Sequence, residues 1–339
     1  MANKKAFITG ISGQDGAYLA MHLLKKGYEV IGGGRNIQGD SIWRLKELGL
    51  LSQIKIIPFE LLDEKQINNA IVNGKFSEIY NLAAKSFVGH SYDTPLATSN
   101  INALGVVRIL EAIRKYSNTT KLYQASSSEM YGNSKTKKKN ENTIFNPTSP
   151  YAISKLYAHW MIKLYREAYD IFCCSGILFN HESPLRGDEF VTKKIILDLA
   201  KVKYNIKKSV KLGNIYIKRD WGYSKDYVEA MWKILQQRKP DDFVVSSGKT
   251  LTVKSLVNKA AKYFGYDLIW KGKGIKEKAF DKKTKKLIVE IDEKFFRPTE
   301  VDYLYGDSTK ARKILKWQPK TDVNKLIKIM CDYEIKKYK

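Results

Sequence analysis

The stretch Lys5-Ala-Phe-Ile-Thr9-Gly10-Ile-Ser12-Gly13-Gln14-Asp15-Gly16 decides the fold. Lys5 to Thr9 is short and mostly apolar, which predicts a strand, and Ala17 to Lys26 carries apolar residues at helical spacing. Between them lie three glycines in the order GxxGxxG. Glycines at a strand-to-helix turn permit unusual backbone angles, and they let a pyrophosphate approach a helix N-terminus whose unpaired N–H groups and dipole favour it. A first strand running into such a turn predicts a dinucleotide-binding domain.

Working outward, a second strand, Tyr28 to Ile31, ends in Gly32-Gly-Gly-Arg35 with no acidic residue at its tip. An acidic side chain there would hold the ribose 2′-hydroxyl of NAD, whereas Arg35 can pair with a 2′-phosphate, so the reading favours NADP over NAD. A third strand, Lys55 to Phe59, leads to Glu60 and Leu61, read as adenine contacts. A fourth, Glu78 to Asn81, opens into Leu82-Ala83-Ala84-Lys85-Ser86, whose small residues allow close backbone approach. After a helix from about Asn100 to Tyr116 comes a fifth strand, Lys121 to Ala125, running into Ser126-Ser127-Ser128-Glu129. A sixth, Phe172 to Leu178, delivers Asn180-His181-Glu182-Ser183-Pro184. This alternation predicts an α/β, Rossmann-type doubly wound parallel sheet with ligands at the C-terminal strand ends. Arg219 to Gly222 precedes a helix at Lys225 to Gln236, and Phe243 to Ser247 reads as a further sheet strand. The expected division is residues 1–180 and about 219–247 for the dinucleotide-binding domain. Residues 181–218 and 248–339 form a smaller substrate-binding domain, with Lys271 to Lys286 an exposed loop or hairpin.

Composition bounds the function. The chain has 339 residues, is 43% hydrophobic and 28% charged, and contains no apolar run near the ~18 residues of a membrane span. The opening Met1-Ala-Asn-Lys-Lys5 has no apolar signal region, and a cytoplasmic protein is expected. Cys173, Cys174 and Cys331 cannot build a disulfide framework, and four dispersed histidines predict no metal site. The net charge of +25 comes from lysines spread along the chain. Without zinc-finger spacing or an aromatic RNA-binding signature, this points to a phosphate-rich ligand rather than nucleic acid.

Tyr151-Ala-Ile-Ser-Lys155 supplies the chemistry. At this spacing both side chains lie on one helical face, and an ammonium near the phenol oxygen favours its ionised form. A tyrosine ordinarily titrates near ~10, so a base useful near neutrality needs that value lowered.

These motifs resemble the extended short-chain dehydrogenase/reductase superfamily and, within it, the GDP-mannose 4,6-dehydratase family. The likeness runs nearly end to end, through TGISGQDGAYLA, YNLAAKSFVG, LYQASSSEMYG, SPYAISKLYAHW, GILFNHESPLRG, KRDWGYSKDYVEAMW and FFRPTEVDYLYGD. GQDG, FNHESP and RPTEVD are the more specific parts. The resemblance implies a lyase that converts GDP-mannose to its 4-keto-6-deoxy form around a tightly bound, recycled NADP. Tyr151 takes the C4 hydroxyl proton, Glu129 takes the C5 proton, Ser127 hydrogen-bonds at C4, and Lys155 orients the nicotinamide ribose. Gly10, Ser12, Gly13, Gln14, Asp15 and Gly16 would form the pyrophosphate turn, and Leu82, Ala83, Ala84 and Ser86 would flank the nicotinamide, with Ser86 also near the sugar. His181 and Arg186 resemble cofactor contacts. Asn180, Val191, Lys194, Arg219, Arg297 and Glu300 resemble nucleotide-sugar contacts. The family also implies a homodimer or homotetramer.

Four positions depart from the family pattern. Ser127 stands where Thr is usual, Lys85 where Gln is usual, and Thr148 and Asn36 each where Arg is usual. These leave a GDP-manno-heptose open as the substrate, dehydrated by the same chemistry. A reductase or epimerase, which would not need the Ser-x-Glu pair, and a silent dinucleotide-binding protein are the rival readings.

Overall fold

The computed structural model describes residues 4–338; the reading of the first residues as lacking a signal segment lies mostly outside that range. The opening strand β1 (Lys5–Thr9) is parallel to β2 (Glu29–Gly34), β3 (Lys55–Pro58), β4 (Glu78–Asn81), β5 (Lys121–Ser127) and β6 (Cys173–Leu178). Two short strands, β7 (Asn180–Glu182) and β8 (Val210–Leu212), lie outside this sheet, as does β9 (Lys218–Tyr223). With β10 (Phe243–Val245) the sheet reads β10-β6-β5-β4-β1-β2-β3. Strand order reverses beside β1, where ligands bind in doubly wound sheets.

Helices cover both faces. α1 (Gln14–Lys25), α2 (Trp43–Glu47) and α3 (Glu64–Gly74) follow the first three strands. α4 (His90–Asp93) is one turn. α5 (Pro95–Ser99), a π-turn at Asn100–Leu104 and α6 (Gly105–Tyr116) form one run of 22 residues. Contrary to the expectation from the sequence, this run has the length and apolarity of a membrane span. The fold accounts for them: Val106, Ile109, Leu110 and Ile113 are buried in a core shared with Ile67 and Ile71 of α3. Their partner on that face is α7 (Pro150–Tyr169), which buries Ala158, Ile162 and Tyr165 in the same core. α8 (Val191–Lys203) belongs to a second core, and α9 (Ser224–Leu235) packs with α1 on the sheet's other face.

The second core joins α8 to α10 (Val253–Tyr263) and, at the chain's end, to α12 (Val323–Lys336), across β8 and β14 (Leu287–Ile291). β14 continues the antiparallel strands β12 (Leu268–Lys271) and β13 (Lys278–Asp281), so the lysine-rich stretch is a hairpin. β9 lies between β7 and β11 (Thr250–Thr252). α11 (Thr309–Ile314) returns to the first core, where Ala311, Leu315 and Trp317 are buried. The two cores leave a cleft between the C-terminal ends of the sheet strands and the α8/β9 side.

Candidate active site

The cleft holds a cavity of about 1020 Å³. At one end is the glycine turn. Gly10 has φ +67°, and a Cβ there would lie 2.9 Å from the Ala83 nitrogen; one on Gly16 would lie 2.4 Å from the Gly10 carbonyl oxygen. Both positions therefore require glycine, because any side chain would displace backbone. Gly13 is the N-cap of α1, whose first-turn N–H groups have no acceptor within the helix. The Ser12 carbonyl accepts a hydrogen bond from Arg44 Nη1 at 3.2 Å, and Arg44 Nε donates to the Leu185 carbonyl at 2.6 Å. Arg44 lines the cavity and was not identified from the sequence; its acceptors lie 32 and 141 residues away, so no local pattern marks it.

The turn is braced by Asp15 and His181. His181 Nδ1 meets the Phe179 carbonyl at 2.7 Å and Nε2 meets Asp15 Oδ2 at 2.7 Å. A carbonyl only accepts, and so does an ionised carboxylate, so both ring nitrogens carry protons and the imidazole is a cation. Burial alone would raise the Asp15 carboxyl; the His181 charge and the hydrogen bonds from His181 and Ser224 outweigh it and hold Asp15 at about 2. Burial lowers the His181 value, but Asp15 raises it by more. The ring nitrogens are thus committed within the protein. The signs define a window. Asp15 contributes stability above its ordinary 3.8 and loses it as pH falls through about 2, whereas His181 contributes fully below 6.5 and loses it as pH rises through its raised value. Asp15→Asn is therefore expected to lower thermal stability most between pH 4 and 6.5, by ~2 kcal/mol, and least at alkaline pH. Melting curves of both forms across pH check it.

A buried chain of hydrogen bonds sets the strand ends. Thr9 Oγ1 donates to Asn81 Oδ1 at 2.6 Å and accepts from the Leu82 and Ala83 nitrogens. Asn81 Nδ2 donates to Gln124 Oε1 at 2.7 Å, and Gln124 Nε2 donates to the Ala125 carbonyl at 3.1 Å. Lys155 Nζ donates to that same carbonyl at 2.9 Å. The glycine turn and Lys155 are therefore tied through β1, β4 and β5.

Tyr151 stands in the first turn of α7, capped by Ser149, whose hydroxyl accepts from the Ala152 nitrogen at 3.1 Å. Tyr151 and Lys155 share a helical face, as their spacing predicts. The hydrogen bond of Lys155 Nζ goes to the Ala125 carbonyl, and the ammonium lies 5.9 Å from the Tyr151 ring centroid. Burial pushes Tyr151 up to about 12; the hydrogen-bonding hydroxyl of Ser127 opposes this, while Glu129 adds to it. Burial also brings Lys155 down to about 8. Ser127, rather than Lys155, supplies the main downward pull on the phenol. Strand β5 extends two residues beyond the predicted end, which fixes Ser127, and the Glu129 nitrogen donates to Ser127 Oγ at 3.2 Å.

The far wall is cationic. Arg219 is buried, with Nη2 donating to Glu300 Oε1 at 3.3 Å; Arg297 Nη1 lies 3.8 Å from the same oxygen. Glu300 is thus shared between two guanidinium groups. Burial lowers Arg219 from its ordinary value, against the pull of Glu129 and Glu300. Lys194, on the first turn of α8 after Val191, binds Asp198 at 3.0 Å and the Lys211 carbonyl at 2.6 Å. Asn180 Oδ1 is buried without a partner, and Arg186 lies 3.2 Å from Glu182 and over the Phe190 ring.

Of the residues read from the sequence, Gly10, Gly13, Gln14, Asp15, Gly16, Leu82, Ala84 and Ser86 line the cavity. So do Ser127, Glu129, Tyr151, Lys155, Asn180, His181 and Arg186, and on the cationic side Val191, Lys194, Arg219, Arg297 and Glu300. Ser12 and Ala83 do not line it, and neither do Arg35, Glu60 and Leu61. Arg35 is exposed at the end of β2, with Nε 3.7 Å from Glu60, and Leu61 is buried in the core. Lys85 also lies outside the lining, with its backbone held by Asn102.

The chain is similar in sequence and in fold to known proteins. The family model described as GDP-mannose 4,6 dehydratase matches residues 7–330. A GDP-mannose 4,6 dehydratase of Dictyostelium discoideum is 43% identical, covering 98% of this chain and 96% of its own. The Vibrio cholerae GDP-mannose 4,6-dehydratase is 41% identical, covering 98% and 94%. Among solved structures, the UDP-glucose 4-epimerase of Thermotoga maritima superposes with a TM-score of 0.83 at 21% identity, over 99% of this chain and 100% of that one. A dTDP-glucose 4,6-dehydratase of Bacillus anthracis, solved with NAD, has a TM-score of 0.81 at 19% identity, over 98% and 97%. The structural likenesses establish the fold. The sequence likenesses, which span the turn, the Tyr151 helix and the cationic wall together, establish that the chain belongs to the GDP-mannose 4,6-dehydratase family.

Proposed function

We propose that the protein is a nucleotide-sugar 4,6-dehydratase that converts GDP-mannose to GDP-4-keto-6-deoxymannose. One observation carries this reading: a buried phenol, a hydroxyl and a carboxylate face one cavity whose ends are a glycine turn and an arginine-lined wall.

The glycine turn, where Gly10 and Gly16 leave no room for a Cβ, and the first-turn N–H groups of α1 fit a nicotinamide dinucleotide. When bound, that group supplies the acceptance of hydride from sugar C4 and its return to C6. Tyr151 takes the C4 hydroxyl proton, and Ser127 holds the C4 oxygen at hydrogen-bond distance of the phenol. The C4 ketone acidifies the neighbouring C5–H. Glu129 removes that proton as the C6 hydroxyl departs, and a carboxyl group so charged can return the proton to the leaving oxygen as water; C5 takes up a proton in exchange for the one Tyr151 received at C4, so the sum is the loss of one water. Arg219 and Arg297 suit the diphosphate, with Lys194 and Val191 beside them and Glu300 turned toward a ribose hydroxyl. Lys155 and His181 hold the frame, while Arg186 adds positive charge near Asp15 and Tyr151.

NADP is the proposed dinucleotide, because Arg35 is exposed and only loosely met by Glu60 at 3.7 Å. Calorimetry with NADP and NAD decides between them. The proposed division is residues 1–180 and about 219–247 for the dinucleotide and 181–218 and 248–339 for the nucleotide sugar, although Trp221 and Tyr223 of β9 pack in the second core and Ala311 of α11 in the first. The assembly is proposed as a homodimer or homotetramer: Ile153, Tyr157, Trp160 and Leu164 form an exposed apolar stripe on α7. Sedimentation measures the state. A cytoplasmic location is proposed for an enzyme of nucleotide-sugar metabolism.

Incubation with GDP-mannose, followed by mass analysis, is expected to give a product lighter by one water. The same assay with a GDP-manno-heptose tests the alternative sugar. Loss of water from neither would overturn the dehydratase reading.

A further inference from the structure

The segment that carries Arg297 and Glu300 is hydrogen-bonded across the cavity through Thr299, while the neighbouring Val301 packs with Met130 and Phe179. Thr299 Oγ1 donates to the Thr148 carbonyl at 2.5 Å, and the Tyr92 hydroxyl lies 2.6 Å from Thr299 Oγ1 and 3.1 Å from the same carbonyl. A carbonyl only accepts, so Thr299 donates to Thr148 while Tyr92 donates within the cluster, to Thr299 Oγ1, to the same Thr148 carbonyl or, at 3.4 Å, to the Thr299 carbonyl; both hydroxyls thus converge on one acceptor. Tyr92 lies in the one-turn helix α4 and lines the cavity; Pro298 lines it opposite. Thr148 immediately precedes Ser149, the cap of the helix bearing Tyr151. Three pieces of chain distant in sequence thus meet at the cavity mouth: a wall of the sugar end, the approach to the phenol, and the strap bearing the guanidinium of Arg297. The Tyr92 and Thr299 hydroxyls have no established part in the reaction.

We propose that Tyr92 and Thr299 are positioning residues that form a clasp. Its closure holds the Arg297–Glu300 strap in register with the Tyr151 helix and so sets how tightly the diphosphate is gripped. The proposal rests on the nucleotide-sugar reading above, and its first measurement needs no turnover. GDP binding is measured by calorimetry for the wild type, Tyr92→Phe, Thr299→Val, the double variant and Thr299→Ser, with melting temperatures recorded alongside. Loss of one such link weakens binding about five-fold. Because both hydroxyls converge on the Thr148 carbonyl and touch each other, their losses should not multiply: the double variant is expected to bind no more than about twice as weakly as the weaker single variant. Thr299→Ser, which keeps the hydroxyl, should bind as the wild type does. In turnover, KM should rise in parallel while kcat changes little. Unchanged GDP affinity in both single variants, or fully multiplicative losses in the double, would overturn the clasp alone. Failure of the wild type to bind GDP would overturn the nucleotide-sugar reading, and the clasp with it.

Discussion

Tyr151→Phe is expected to lower kcat about a thousand-fold, with a KM within about three-fold of the wild type and an unchanged melting temperature. The substitution keeps the ring, which is packed at the capped first turn of α7, and removes only the oxygen that faces Ser127. The pH profile should carry the same assignment. Burial holds the phenol at about 12, so activity should climb with pH as its proton becomes easier to remove. Ser127→Ala should shift the rising limb toward higher pH, because the hydrogen bond that opposes burial is gone. Steady-state rates from pH 6 to 10 check both directions. A residual rate in the phenylalanine variant close to that of the wild type would remove Tyr151 from the reaction.

Glu129→Gln should divide the reaction in two. The amide is nearly isosteric and retains the backbone link from its nitrogen to Ser127 Oγ, so oxidation at C4 should survive. An amide is not a base at C5, so elimination should fall by about two to three orders of magnitude. Mass analysis of quenched single turnovers should find nucleotide sugar lacking two hydrogens and retaining its C6 oxygen. Dehydration at the wild-type rate in this variant would refute Glu129 as the base. Complete loss of the first step would instead assign it a role in holding the sugar, through the charge it presents to Arg219.

What the sequence made legible was local. β1 and β4 have the bounds expected from their apolar runs, and the glycine turn and the Tyr151 helix follow from spacing alone. The less legible features depend on partners far along the chain. Arg44 reads as a surface cation on a short helix until the fold brings it to Ser12 and Leu185. The same is true of Thr148, whose neighbours Tyr92 and Thr299 are separated from it by 56 and 151 residues. Lys155 was placed on the correct helical face, but its acceptor was not foreseen, because the Ala125 carbonyl is presented by an adjoining strand. The helix expected from about Asn100 begins at Pro95 and runs through Asn100 and Asn102 by a π-turn, with the Asn102 side chain bonded to the Lys85 backbone.

The line from Thr9 through Asn81 and Gln124 to Ala125 has a bearing on how this lineage can change. Each amide in it has one orientation that satisfies both neighbours, so replacing any one of the three side chains strands a donor or an acceptor in the next. Drift at these positions is therefore coupled: a descendant that alters Asn81 must alter Gln124 or Thr9 with it. Such paired exchanges should appear together across the family tree.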